Sequence, residues 1–310
     1  MNRFTHAAAL IGTAVGDALG APFELTAPGA LSARFPSWND VQLNGGGGWN
    51  SGEATDDTQM AVHVTLSIVD HRGVELPDIF DRFVAWQAAD PKDVGLQTEV
   101  VLTSGLPYDR AADDYLAHHH LAAGNGSLMR AIAGALYGAT LPRPRSAEAA
   151  RAISRLTHAD PATGEGCVIF HELIRVALDG GNPIDALPTA LAQVREDERD
   201  RWATVLVDDW HPDKATEFNG AVWPALGSAV WALRHTRTFR DAVCVAVDLG
   251  GDTDTVAAIT GGLAGAVYGL DGIPADWRAA VHVPLPGARP GERAVWDADD
   301  LARLADALAG

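Results

Sequence analysis

"ALIGTAVGDALG", residues 9–20, places glycine at 12, 16 and 20, so a glycine returns every four residues along one face of a helix. Glycine costs about 1 kcal/mol per helix position against alanine, and its repetition marks the close approach of another backbone. "TGGLAGAVYG", residues 260–269, repeats the device with Gly261, Gly262 and Gly265. Two tightly packed helices at the centre of the protein are expected, and the polar residues flanking them are drawn together.

Outward from these segments the period stays helical. In "CVIFHELIRVAL", residues 167–178, Cys167, Phe170, Leu173, Ile174 and Ala177 share one face. Start signals recur at Ser146 before "AEAARAI", at Asn182 followed by Pro183, and at Asp297 before "ADDLARLADAL". No convincing alternating strand is present, "LPRPR" at 141–145 reads as a turn, and neither a linker nor a repeat divides the chain. The expectation is an all-α fold of roughly a dozen helices, one domain over residues 1–310.

The chain has 310 residues, 47% hydrophobic and 21% charged, as a soluble protein with a sizeable core would. Its 41 acidic and 23 basic residues leave a net charge of −18, which opposes any sequence-independent hold on nucleic acid or anionic membrane. Cys167 and Cys244 are too few for a disulfide framework or a cysteine metal site, which suggests a reducing, cytoplasmic setting. Arg3 and the apolar run after it resemble a weak signal peptide, but Asp17 interrupts the run. No uninterrupted apolar stretch approaches the roughly 20 residues a membrane span needs.

Two acidic clusters stand out. "TDDTQ", residues 55–59, taken alone, is a helix start capped by Asp56 with Gln59 returning the bond and Asp57 favouring the positive helix end. "GGDTDT", residues 250–255, precedes the second glycine-rich helix in the same manner. If the two starts meet, Asp56, Asp57, Asp252 and Asp254 crowd four carboxylates together. Like charges at 4 Å repel by about 4 kcal/mol at an effective dielectric of 20, so the cluster requires protons or cations. Carboxylates with threonine hydroxyls form an all-oxygen donor set suited to Mg2+ or Mn2+ rather than zinc. Four carboxylates suffice for two such ions, and a two-metal site makes a hydrolytic nucleophile near neutral pH.

"GNGSLMR", residues 124–130, reads as a glycine-rich loop opening a helix with Ser127 as cap; its amides suit a phosphate with Arg130 assisting, while an ordinary capped helix is the simpler reading of the motif alone. Contiguous His118, His119 and His120 cannot converge on one ion and read as exposed loop. Trp86, Trp202, Trp223 and Trp231 lie in helical patterns as core, and His171 reads as structural. Trp49, between a glycine run and the first acidic cluster, either borders a substrate cleft or packs.

Taken in order, "GDALGAPFE" (16–24), "GGGW" with "TDDTQM" (46–60), "DVG" (93–95), "GNGSLMR", "LTHADP" (156–161) and "GGDTDT" leading into "LAGAVYG" resemble the ADP-ribosylglycohydrolase family over nearly the whole chain. The resemblance implies an orthogonal helical bundle with a binuclear Mg2+ or Mn2+ centre, which hydrolyses the bond between the anomeric carbon of ADP-ribose and an acceptor. It assigns Thr55, Asp56, Asp57, Asp252, Asp254 and Thr255 to the metals, with Glu24, on a mobile segment covering them, ligating one or yielding to substrate. Asp93 falls near the reacting ribose. Gly124, Asn125, Gly126, Ser127, Met129 and His158 match positions holding the diphosphate and adjoining ribose. Asp56 and Asp254 are then catalytic through the metals, and Glu24 or Asp93 manages the proton. The substrate is an ADP-ribosylated protein or another ADP-ribose conjugate, with nucleic acid entering only as a modified substrate, and the enzyme is expected to be a monomer releasing ADP-ribose. Where many arginine-specific relatives read "DVGNT", this chain has "DVGLQT", so Leu96 leaves the acceptor open. A metal-dependent nucleotide phosphohydrolase and a non-catalytic ADP-ribose binder on the same fold are the competing readings.

Overall fold

A computed structural model describes residues 3–309 of the chain. Sixteen α-helices run through them. The first six are α1 (Arg3–Gly20), α2 (Ala30–Arg34), α3 (Asp56–His71), α4 (Leu76–Ala88), α5 (Leu96–Thr103) and α6 (Ala111–His118). Next come α7 (Ile132–Gly138), α8 (Arg143–Arg155), α9 (Pro161–Leu178), α10 (Leu187–Gln193) and α11 (Glu196–Leu206). The last are α12 (Val222–His235), α13 (Phe239–Asp248), α14 (Thr253–Tyr268), α15 (Ala275–Ala280) and α16 (Ala298–Ala309). The excess over a dozen comes from short connecting helices such as α2 and α15.

The two glycine-rich segments form the central pair, α1 against α14. A Cβ on Gly12 would fall 2.2 Å from the Gly261 carbonyl oxygen, and one on Gly16 would fall 1.9 Å from that of Ala257. In return, a Cβ on Gly261 would lie 2.0 Å from the Gly12 oxygen. Backbone touches backbone, so no side chain can stand between them. Partner numbers fall as α1 advances, so the helices are antiparallel, and the C-terminal end of α1 meets the N-terminal end of α14. Around this pair pack α3, α7, α9, α12, α13 and α16. The N-terminal apolar run is therefore central core.

Two of the three start signals, and the turn read at 141–145, come out differently in the structure. Pro142 precedes α8, which begins at Arg143, so three of the five residues of "LPRPR" are helix; Pro144 sits in the first turn, where a missing N–H costs nothing. Ser146 lies buried inside α8, 3.3 Å from His171 Nδ1, and the buried His171 is structural as expected. Asn182 caps only a 3-10 turn, Pro183–Ala186. Asp297 does cap α16, accepting from the Asp300 amide at 2.9 Å. Helix α9 is buried on every side from Ala162 to Ile174 rather than on one face. An antiparallel pair, β1 (His282–Pro284) with β2 (Val295–Asp297), escaped notice because three residues each are too few to display alternation.

Trp86, Trp202 and Trp223 are buried, whereas Trp231 is half-buried between the rings of His211 and His235. His118, His119 and His120 are exposed, although His118 still belongs to α6. Cys167 and Cys244 are free and buried. Among the described residues no helix is long and apolar enough to cross a membrane.

Candidate metal and ligand site

Helix α3 begins against the end of α1. Thr55, not Asp56, caps it, its hydroxyl accepting from the Asp57 amide at 3.4 Å. Asp56 is the first helical residue, and Gln59 accepts from Trp86 Nε1 at 2.8 Å instead of returning to the helix start. The second half of the cap comes from Asp17 on α1. Its fully buried carboxylate accepts from the Thr55 amide at 2.9 and 3.0 Å, the Thr58 amide at 3.1 Å and the Thr58 hydroxyl at 2.5 Å. Burial pushes the Asp17 carboxyl up to about 6 against the pull of those bonds. Sequence reading missed this role; the available signal was a lone aspartate interrupting an otherwise apolar helical run, between Gly16 and Ala18.

Helix α14 starts on the same spot. The Thr253 hydroxyl donates to the Gly20 carbonyl at 2.9 Å, fixing the two helix ends together. Asp252 just precedes α14; its amide donates to Asn219 Oδ1 at 2.9 Å and its carboxylate accepts from Asn125 Nδ2 at 2.8 Å. Asn219 is thus a further residue not anticipated. Asp254 and Thr255 occupy the buried first turn.

Glu24, Asp93 and Asp254 each bring a carboxylate oxygen within 4.8 Å of the others. Asp56, Asp57 and Asp254 are buried, Asp93 is half-buried and Glu24 is exposed on the segment leaving α1. Burial pushes Asp56 up to about 8, with Asp93 and Asp17 adding repulsion. Burial, then the charges of Asp17 and Asp56, holds Asp57 well above the carboxylate range; burial and Asp57 do the same to Asp254. Glu24 and Asp93 are raised for the same reasons, burial first and neighbouring carboxylates after it. Asp57 Oδ1 is buried without a hydrogen-bond partner. An orphaned carboxylate oxygen amid mutually repelling acids, with threonine hydroxyls at hand, fits hard divalent cations.

Across Asn125 lies the 124–130 loop. It runs as successive turns, and α7 begins only at Ile132, so Ser127 caps no helix. Ser127 is buried and accepts from the Ser154 hydroxyl at 2.7 Å, and Met129 is buried too. Arg130 does not face a cleft either: fully buried, it donates to the Gly126 carbonyl at 2.8 Å and to the Thr157 hydroxyl at 2.7 Å. His158 lies against the turn, 3.3 Å from where a Gly124 Cβ would sit and 2.9 Å from that of Gly126, so glycine is needed there. Half-buried Trp49 carries Lys92 Nζ 5.3 Å from its ring centre, and Lys92 pairs with buried Glu53 at 2.7 Å. That contact places the indole beside the segment bearing Asp93.

The family model described as ADP-ribosylglycohydrolase matches residues 3–310. The chain belongs to the ADP-ribosylglycohydrolase family. It is similar to the ADP-ribosyl-[dinitrogen reductase] glycohydrolase of Rhodospirillum rubrum, 29% identical over 89% of this chain and 90% of that one. The ADP-ribosylarginine hydrolase Tri1 of Serratia proteamaculans is 26% identical over 87% of this chain and 73% of its own length. A solved structure titled ADP-ribosylglycohydrolase-related protein complex superposes with a TM-score of 0.76 at 32% identity, covering 99% of this chain and 97% of that one. In this ADP-ribosylglycohydrolase, as expected of an all-α member, the acidic helix starts, the 124–127 turn and His158 lie on adjoining elements although 195 positions separate Asp57 from Asp252.

Proposed function

We propose that the chain hydrolyses the glycosidic bond between the anomeric carbon of ADP-ribose and an acceptor, at the junction of α1, α3 and α14. The convergence of Glu24, Asp93 and Asp254 to within 4.8 Å carries this reading. Thr55, Asp56, Asp57, Asp252, Asp254, Thr255 and Glu24 would hold two Mg2+ or Mn2+ ions, which when bound supply positive potential and activate a water. The buried acids serve to bind and orient. Glu24 and Asp93, being the more open carboxyls, are the groups that exchange a proton with water or with the departing acceptor. As the new bond forms at the anomeric carbon and the old one breaks, the charge that develops on the sugar meets this acidic wall.

In a protein of net charge −18, the amides of Gly124 and Gly126 with His158 offer donors to the diphosphate, while the Asn125 amide is held by the Gly220 carbonyl at 2.9 Å. Trp49 borders the ribose end, and Ser127 and Met129 shape the turn from beneath. Leu96, 82% exposed at the start of α5 three residues beyond Asp93, lines the acceptor side. The acceptor named for the Serratia relative is arginine, and the apolar Leu96 makes a panel necessary. ADP-ribosylated arginine, serine and nucleic acid incubated with Mg2+ or Mn2+ should release ADP-ribose from at least one substrate, and EDTA should abolish release. AMP with ribose phosphate as products would instead establish a phosphohydrolase; binding of ADP-ribose with no turnover of any substrate would establish a binder.

A further inference from the structure

Arg130 presents a problem that the proposed chemistry leaves unsolved. Its guanidinium is fully buried and, among the described residues, pairs with no carboxylate; it bonds only the Gly126 carbonyl and the Thr157 hydroxyl and lies 4.8 Å from the Phe83 ring centre. A buried cation that touches no carboxylate, with only the more distant charge of Asp56 favouring it, is costly, so its geometry needs a reason. Thr157 supplies one. Its hydroxyl also meets His158 Nδ1 at 2.8 Å. Arginine only donates, so the Thr157 oxygen accepts from Arg130, and its single hydroxyl proton has Nδ1 as its one acceptor among the described residues. The imidazole must then carry its own proton on Nε2. That nitrogen makes no hydrogen bond to a described residue and sits over the glycines of the 124–126 turn. His158 is only 3% exposed, yet Nε2 is not among the sealed unsatisfied atoms, so this donor opens towards the turn, where a ligand can take it.

We infer that Arg130 and Thr157 are positioning residues, a buried relay that locks His158 as the neutral Nε2–H tautomer and presents that donor to an oxygen of the ligand in the 124–126 turn. Burial and the Arg130 charge keep the imidazole from protonating, holding it well below the ordinary histidine range. The same guanidinium ties down the Gly126 carbonyl, so one cation orders both walls of the turn. Gln97 Nε2 donates to the Thr157 carbonyl at 3.1 Å and holds the relay from the α5 side.

The inference rests on the ADP-ribose reading for the identity of the ligand, but not for the tautomer. Protein labelled with 15N-histidine should show His158 with a proton on Nε2 and none on Nδ1 in long-range 1H–15N spectra. Thr157→Val, which keeps the shape and removes the hydroxyl, should mix the tautomers, as should Arg130→Met, and Thr157→Ser should restore the wild-type pattern. Binding of ADP-ribose in the presence of Mg2+, read by calorimetry, should weaken about tenfold in Thr157→Val and recover in Thr157→Ser, the size expected for one lost hydrogen bond. A wild-type Nδ1–H or doubly protonated ring overturns the relay even if ADP-ribose binds. Wild-type protein that shows the Nε2–H form and loses it in Thr157→Val, yet binds no ADP-ribose, upholds the relay and overturns the ADP-ribose reading. Unaltered ADP-ribose affinity in Thr157→Val overturns the ligand role of the donor.

Discussion

Asp254 concentrates the conflict between stability and function. It is buried, it faces Asp57, and its carboxyl is held well above the carboxylate range by burial and that neighbour. Asp254→Asn removes a charge the cation-free protein must either suppress or tolerate, so the variant should melt higher than wild type in EDTA. ADP-ribose release should nevertheless fall by at least about a hundredfold, because even outer partners of metal ligands are worth ten- to a hundredfold in affinity or activity. Differential scanning and a product assay on the same preparation check both halves, and a variant that loses stability while keeping turnover would remove Asp254 from the site. At this scale the sequence already exposed its acids, since paired aspartates beside threonines stand out in any reading. Asp17 did not stand out, because its work is done on Thr55 and Thr58, 38 and 41 residues away.

Helices α1 and α14 act as a rule that sets where the acids sit. Their backbones touch at Gly12, Gly16 and Gly261, and the slide between them determines whether Glu24 reaches Asp254. Gly16→Ala would drive a Cβ to 1.9 Å from the Ala257 oxygen, a backbone atom that cannot swing aside. Overpacking of this kind costs about 3 kcal/mol. Urea denaturation should register that loss, and the folded fraction should also be less active than wild type, since separating the helices moves Asp17 from α3 and Asp254 from Glu24. The glycine spacing announced this contact from the sequence. Helix starts were less legible: Ser146 has capping chemistry yet lies inside α8, because Pro142 and Pro144 begin the helix earlier and His171 gives its hydroxyl another partner.

The whole molecule should titrate as a cation-dependent protein. Without cations Asp56 has its carboxyl raised from the ordinary 3.8 to about 8. Between those values the folded state holds more protons than the unfolded chain, so stability falls as pH rises from about 4 to about 8. Asp57 and Asp254 are shifted in the same direction and steepen the fall. In EDTA the melting temperature should therefore drop from pH 7 to pH 8, above the range in which the buried, neutral His63, His158 and His171 contribute the opposite trend, and added Mg2+ or Mn2+ should raise it more at pH 8 than at pH 5. A Mg2+ effect equal at both values would mean that the ion binds elsewhere.

By itself the sequence determined the helical class, the close central pair and the two acidic clusters, because period, glycine spacing and local charge are properties of neighbouring residues. Only the tertiary structure decided that Asp93 joins Glu24 and Asp254, that Asp17 caps α3, and that Asn125 and Asn219 hold Asp252. It also turned Arg130 inward, away from any direct contact with an anion and onto Thr157. A side chain's partner depends on which backbones can approach it. Here that is settled by the antiparallel packing of α1 on α14, which unites residues more than two hundred positions apart.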